Sequence, residues 1–183
     1  MRSTLTILLL TACAVSAAEP RPVRIEIAVP ADSEHYPAAA RTAATLAAVN
    51  DRVKIKYPGL ARYARERGYR VVVDTLPTAD DGSQIQGRHT GGRRLIEIHH
   101  DLWASPARLA EVYAHEIGHA IYEGLSHIER QAVVAEYAAA RRGGMPDVDI
   151  NEVFAELTAR IATGRLSTRL PETQRIIRRR ICK

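Results

Sequence analysis

The sequence predicts the α+β fold class, with a small β-sheet and a mostly helical C-terminal half. Short runs rich in β-branched residues lie in the first 100 residues, whereas most helix-start and helix-stop signals come later. Hydrophobic residues make up 46% of the 183 residues and charged residues 26%, which is typical of a globular protein with a packed core. We therefore expect residues 19–183 to form a single domain.

Three segments have the pattern of β-strands. Residues 23–29 alternate apolar and charged side chains, which is the period of a half-buried strand. Residues 69–74 and 95–100 contain β-branched runs and predict two further strands. Between these two, residues 77–94 are rich in Asp, Gly, Ser, Thr and Gln, so we expect a long loop there that is mobile or functional.

Helix boundaries are marked most clearly in the second half of the chain. Ser105 and Pro106 are typical of a helix N-cap and first turn, and Gly124 is typical of a helix end. Ser126 and Glu129 have the spacing of a capping box. The predicted helices cover residues 37–56, 60–67, 106–123, 127–142 and 149–163, and a last one follows Pro171.

The first 18 residues have the features of an export signal. One positive charge precedes a short apolar run, and small residues follow it. The apolar run is shorter than the roughly 20 residues that a membrane-spanning helix needs. Cleavage after Ala17 or Ala18 would release a periplasmic or secreted protein, whereas the lipobox-like residues 10–13 would leave a lipid anchor on Cys13. We expect an exported protein in both cases.

The chain carries a formal net charge of +5, and its C-terminus is rich in basic residues: Arg175, Arg178, Arg179, Arg180 and Lys183. They predict either a solvated helix face or contact of the basic C-terminal helix with an anionic envelope surface. Aromatic residues do not alternate with these arginines, so we expect no nucleic-acid partner. Only Cys13 and Cys182 are present, which excludes a disulfide framework and a cysteine-based structural zinc site.

One predicted helix contains the pattern His-Glu-x-x-His at residues 115–119. Residues four apart lie on one face of a helix, so His115 and His119 can direct both imidazoles at one zinc ion. Glu116 lies about 100° further round the helix and can take a proton from water beside that ion. The flanking residues are uncharged, so most sides of the helix can be buried. The pattern predicts a zinc site with Glu116 as general base.

A catalytic zinc ion usually has three protein ligands, so a third residue is required. Leu125 stands where the extended form of the motif has a third histidine, and His127 lies at the start of the following helix. Glu152 and Glu156 are four apart on a later predicted helix, so one can bind zinc while the other accepts a hydrogen bond from a ligand imidazole. The alternatives are that Glu152 completes a capping box with Asp149 and that Glu156 is a solvated helix residue.

Two segments carry a resemblance to a known family. Residues 114–120 (AHEIGHA) and 152–156 (EVFAE) resemble the gluzincin metallopeptidases, and among these most of all the anthrax-lethal-factor-like peptidase domains. The resemblance extends over residues 93–160. It implies a zincin-like fold in which Glu152 is the third zinc ligand and Glu156 is the carboxylate that accepts a hydrogen bond from a ligand imidazole.

The same resemblance assigns further roles near the zinc site. The strand Leu95–His99 would be the edge strand, which lies beside the motif helix and holds the substrate in extended form. The related domains place an oxyanion-stabilising tyrosine seven residues before the ligand glutamate, and here that position is Met145. Tyr137, His99 and His100 are the candidate substitutes.

These features together predict a zinc-dependent endopeptidase that acts on a peptide or protein substrate. Zinc would polarise the scissile carbonyl, and Glu116 would transfer a proton from water to the leaving amine. Two other hypotheses stay open. One is a metal-binding or protein-interaction domain of the cell envelope without turnover, and the other is a hydrolase of cell-wall peptides.

Overall fold

The computed structural model describes residues 23–51, 59–165 and 169–182. The predicted signal sequence at residues 1–18, its lipobox at Cys13 and the end of the first predicted helix at residue 56 lie outside these ranges. In the described part of the chain, every helix is too short or too polar to cross a membrane.

The described residues form six α-helices and one four-stranded sheet, so the predicted α+β class with a small sheet is confirmed. The strands are β1 (Ile25–Ile27), β2 (Arg70–Asp74), β3 (Gly87–Thr90) and β4 (Leu95–His99). The helices are α1 (Tyr36–Asp51), α2 (Gly59–Glu66), α3 (Pro106–Glu123), α4 (His127–Arg142), α5 (Ile150–Ala162) and α6 (Pro171–Ile181). Two short 3-10 helices, Gly91–Arg93 and His100–Ala104, lie on either side of β4.

The strand order in the sheet is β1-β2-β4-β3. β1, β2 and β4 are parallel neighbours, whereas β3 pairs with β4 in the antiparallel direction. β3 is therefore an edge strand, and the prediction that Leu95–His99 forms this edge is wrong. β3 lies inside residues 77–94, which were expected to be loop, because its sequence, Gly-Arg-His-Thr, contains no apolar residue that would indicate a strand.

The two faces of the sheet differ in polarity. Gly87 of β3 pairs with Ile98 of β4, and Ile98 belongs to the main hydrophobic core that the helices cover. Because side chains alternate along a strand, the neighbouring pair of Arg88 and Glu97 lies on the opposite face. There the Arg88 guanidinium donates two hydrogen bonds of 2.7 Å to the Glu97 carboxylate. The core thus lies mainly between the sheet and the helices.

Local start and stop signals operate as the sequence predicts. Ser105 caps α3, and its side chain accepts a hydrogen bond from the backbone N–H of Arg108 at 3.4 Å. Ser126 and Glu129 form a complete capping box at the start of α4. Gly68, with a φ of 68°, occupies the left-handed region directly after α2, where a side chain would be strained. These devices fix where the site-bearing helices begin.

The basic α6 is anchored to the rest of the chain. Its apolar face is buried, with Ile176, Ile177 and Ile181 in the main core. Two ion pairs neutralise part of its charge: Arg175 with Glu172, and Arg180 with Glu129 of α4. Arg178 and Arg179 are exposed, and the exposed free thiol of Cys182 follows the helix. Contact of α6 with an anionic surface stays a prediction. Fewer unpaired basic side chains are available for it than the sequence suggests, because two of the arginines form ion pairs.

Candidate metal centre

The buried helix α3 holds two imidazoles side by side. His115 and His119 lie one turn apart, and their Nε2 atoms are 3.1 Å from each other. The side chain of His115 is 25% exposed and that of His119 is 11% exposed, so both face an opening in the surface. Burial, reinforced by the neighbouring His119, lowers the pKa of His115. A neutral imidazole is the form that binds a metal ion.

Helix α5 brings the carboxylate of Glu152 to the same point. Its Oε2 lies 3.3 Å from Nε2 of His115, and its Oε1 lies 3.5 Å from Nε2 of His119. The N-cap of α5 is Asp149, which accepts a hydrogen bond from the backbone N–H of Asn151. Glu152, one residue later, directs its carboxylate to the imidazoles.

These three side chains fit one divalent cation. Two ligand atoms that bind a tetrahedral zinc ion at about 2.0–2.1 Å are about 3.3 Å apart. The Nε2 atoms of His115 and His119 are 3.1 Å apart, and Oε2 of Glu152 lies 3.3 Å from the first while its Oε1 lies 3.5 Å from the second. Two imidazoles and one carboxylate are also a donor set that catalytic zinc ions use. The sequence-predicted ligands His115, His119 and Glu152 are therefore brought together.

A glycine inside the motif allows α5 to approach α3. A Cβ atom built on Gly118 would lie 2.6 Å from Cα of Ala155 and 3.0 Å from Cβ of Thr158. Backbone atoms cannot yield as a flexible side chain can, so only glycine permits this close packing. The approach of α5 at Ala155, one turn after Glu152, sets how far that carboxylate reaches toward the imidazoles.

Asn151 takes the place that the sequence predicted for Glu156. Its Oδ1 lies 3.0 Å from Nδ1 of His119 and accepts a hydrogen bond from Nδ1–H, which leaves Nε2 unprotonated toward the cluster. Glu156 instead forms an ion pair of 2.7 Å with Arg160, and its side chain is 46% exposed. Sequence reasoning missed Asn151, although it directly precedes the candidate ligand in the first turn of α5.

Glu116 is the buried acid of the site. It is 5% exposed, and burial, with a further contribution from the charge of Glu152, raises the pKa of its carboxyl to about 8. A Cβ on Gly87 of β3 would lie 2.6 Å from Oε1 of Glu116. Glu116 is therefore enclosed between α3 and the edge strand, and the absence of a side chain at Gly87 makes the space for it.

His89 is a third histidine beside the cluster that sequence reasoning did not find. It lies on β3, and its ring stacks on that of His119 with centroids 6.1 Å apart. Its Nε2 lies 3.2 Å from the hydroxyl of Tyr69, and burial lowers its pKa. The strand period of two places His89 on the same face as Gly87, but this signal appears only once β3 is recognised as a strand.

Two adjoining cavities of about 400 and 450 Å³ follow β3 past the cluster. Both are lined by Ile85, Gly87, His115 and Glu116. The smaller cavity continues along the start of α3, and the larger one continues toward His119, Glu152 and their neighbours. Together they form a groove between the edge strand and the helices.

The candidate oxyanion residues lie outside this groove. The hydroxyl of Tyr137 donates a hydrogen bond to the backbone carbonyl of Val148 and accepts one from its N–H, so it is already engaged. His99 follows Ile98 in β4 and points to the other face of the sheet, because side chains alternate. His100 lies in the 3-10 helix after β4, and His127 is exposed at the start of α4. None of the three oxyanion candidates lines either cavity, and neither does His127, the alternative third zinc ligand.

Comparison with protein-family models, with curated proteins and with solved structures finds no match for this chain. The site combines two imidazoles and a carboxylate in metal-ligand spacing, a buried carboxyl beside them and a groove along an edge strand.

Proposed function

We propose that this protein is an exported, zinc-dependent endopeptidase with a zincin-like fold. The observation that carries the proposal is the convergence of His115, His119 and Glu152, with donor atoms 3.1–3.5 Å apart, beside a groove. Two histidines alone would suit many roles. A third donor at matching distance and an adjacent buried acid, Glu116, favour hydrolysis over simple metal storage.

The proposed reaction divides its work between the cation and the chain. Zinc, when bound, supplies a Lewis acid and lowers the pKa of water to about 7. The Glu116 carboxylate accepts a proton from the attacking water and then donates it to the leaving amine. Burial holds Glu116 beside the cluster, and the absence of a side chain at Gly87 leaves space for its carboxylate there. Asn151 holds the imidazole of His119 in one tautomer throughout.

Substrate binding is proposed to use the edge strand. An edge strand has one row of backbone N–H and C=O groups without a strand partner, and an extended peptide can pair with it. The groove along β3 leads past His115 and Glu116, so a peptide bound there would present a carbonyl to the cluster. The edge-strand role implied by the family resemblance thus moves from Leu95–His99 to Gly87–Thr90.

The test compares purified wild-type protein with Glu116→Gln, using Glu66→Gln as the control because Glu66 is exposed on α2. We expect Glu116→Gln to keep the wild-type zinc content and to lose peptide cleavage by about 10²- to 10⁴-fold, the usual contribution of a general base. Full activity in Glu116→Gln would contradict the proposed mechanism.

The substrate is tested with two materials, a mixed peptide library and purified peptidoglycan. Cleavage across the library supports the endopeptidase. Release of fragments from peptidoglycan alone would identify a hydrolase of cell-wall peptides instead. Zinc binding by the wild-type protein without cleavage of either material would favour the domain without turnover.

A further inference from the structure

A second histidine cluster lies at the end of β4. His99 is the last residue of this strand, and His100 and Asp101 begin the 3-10 helix that follows it. His35, from the segment before α1, joins them: its ring centroid lies 4.6 Å from that of His100, which lies 4.3 Å from that of His99. The carboxyl ends of parallel strands are where α/β sheets commonly bind ligands, and β1, β2 and β4 are parallel here.

The central member of this cluster has unmet hydrogen-bonding capacity. His100 is 3% exposed, and both of its ring nitrogens are buried without a hydrogen-bond partner. A buried polar group without a hydrogen-bond partner destabilises the fold, so such groups are rare and need a reason. The backbone of His100 is also held in place, because the hydroxyl of Thr42 in α1 donates a 2.5 Å hydrogen bond to its carbonyl.

Asp101 supplies a negative charge at the open side of the cluster. Its Oδ1 lies 3.2 Å from Nε2 of His100, but the two atoms are not aligned for a hydrogen bond. Donor atoms of His99, His100 and Asp101 all lie within 4.8 Å of one another. The side chain of Asp101 is 64% exposed, so it can rotate to bring its carboxylate to the roughly 3.3 Å that separates metal ligands.

We propose that His99, His100 and Asp101 bind a second divalent cation, with the ring of His35 packed against that of His100 at the rim. A site of imidazoles and one carboxylate favours Zn²⁺, Cu²⁺ or Ni²⁺ over Mg²⁺ or Ca²⁺, which prefer oxygen ligands. The cation satisfies the buried nitrogens of His100. Through the packing of His35 on His100, it also joins the segment before α1 to the end of β4, which gives it a structural role.

One existing contact has to change when the cation binds. Nδ1 of His99 accepts a hydrogen bond of 3.3 Å from the backbone N–H of Asp101. This bond is long, and Asp101 is exposed, so its N–H can bond to water instead. Binding through Nδ1 therefore exchanges a weak hydrogen bond for a metal–nitrogen bond.

This site is independent of the centre between α3 and α5. His99 points away from α3, and no member of the second cluster lines either cavity of the groove. The two sites can therefore be separated by mutation. A His115→Ala/His119→Ala variant removes two of the three ligands of the first centre and leaves the second cluster intact.

The experiment is calorimetric titration of the untagged chain with ZnCl₂. We expect two equivalents bound to the wild-type protein and one to the His115→Ala/His119→Ala variant. Adding His35→Ala and Asp101→Asn to this variant should lower its affinity for the remaining zinc ion by at least about tenfold. This is the lower end of the effect seen when contacts around a metal site are lost. Both residues are exposed, so the fold should persist, which circular dichroism checks. Asp32→Asn, the same charge change on the segment that carries His35, is the control and should leave the affinity unchanged.

Two results would overturn the proposal. One is the absence of zinc binding to the His115→Ala/His119→Ala variant when its circular dichroism is that of the wild-type protein. The other is a zinc affinity of the His115→Ala/His119→Ala variant that stays the same when His35→Ala and Asp101→Asn are added. Neither result bears on peptide cleavage, so the second site can fail while the proposed peptidase stands, and the reverse also holds.

Discussion

The two histidine clusters contain the same types of side chain but differ in what surrounds them. The cluster between α3 and α5 opens on a groove: the side chain of Glu152 is 54% exposed, and a buried carboxyl, Glu116, lies beside it. The cluster at the end of β4 is closed around His100, whose side chain is 4% exposed, and it lines neither cavity of the groove. The ligands alone therefore do not define a catalytic site. Under the proposed function, access for a substrate through the groove distinguishes the first cluster from the second.

The largest expected effect comes from removing the imidazoles of the groove cluster. His115→Ala/His119→Ala should reduce peptide cleavage to background, because the proposed chemistry needs the cation there. His35→Ala/Asp101→Asn, which alters the other cluster, should leave kcat/KM at the wild-type value. Measuring kcat/KM for both variants separates a catalytic from a structural cluster. An equal loss of kcat/KM in the two variants would contradict the proposal that one cluster is catalytic and the other structural.

A smaller effect is expected from Asn151→Ala, which removes the hydrogen-bond acceptor from Nδ1 of His119. Loss of such a partner typically weakens metal binding by about 10- to 100-fold. Glu156→Gln should leave zinc affinity unchanged, since Glu156 pairs with Arg160 rather than with an imidazole. Zinc titration of both variants checks this. Weaker zinc binding in Glu156→Gln than in Asn151→Ala would instead support the role that the sequence predicted for Glu156.

Gly118→Ala should act through the packing of α5. The added methyl meets the backbone of Ala155, and overpacking costs about 1–3 kcal/mol, whereas the gain in helix propensity is at most about 1 kcal/mol. We expect a lower free energy of unfolding in urea and weaker zinc binding at the groove cluster only. Gly92→Ala is the control, because a Cβ there meets no atom within 4 Å. Unchanged stability and zinc affinity in Gly118→Ala would count against the close helix contact.

The last prediction concerns pH. In EDTA-treated protein, Glu116 has a pKa of about 8, against 4.5 for an unperturbed Glu. Between these values the folded state binds more protons at Glu116 than the unfolded state does, so the contribution of Glu116 to stability should fall as pH rises, by at most about 1.4 kcal/mol for each pH unit. Glu116→Gln should remove this contribution. Urea unfolding of the wild-type protein and of Glu116→Gln from pH 5 to pH 8 measures this contribution. If the free energy of unfolding changes with pH in the same way in both, Glu116 is not buried as described.

The helical part of the fold and the first centre follow closely from local sequence signals. Caps at Ser105 and Ser126 fix where α3 and α4 start, and the four-residue spacing of His115 and His119 fixes their common face. These signals act within one or two turns of helix. The single chain therefore predicts them without knowledge of its neighbours.

Features that depend on packing between distant segments could not be predicted in this way. β3 has no apolar residue and is a strand only because β4 pairs with it. The choice between Asn151 and Glu156 depends on how α5 is rotated against α3, since the two residues lie about 140° apart round the helix. The second cluster joins His35 to His99 and His100, which only the folded sheet brings together.

The most direct test of the first centre is an anomalous-difference map from crystals of the zinc-loaded protein, recorded on both sides of the zinc absorption edge. We predict a peak within about 2.0–2.2 Å of Nε2 of His115, Nε2 of His119 and a carboxylate oxygen of Glu152. A map with no zinc peak bonded to these three side chains together would contradict the account.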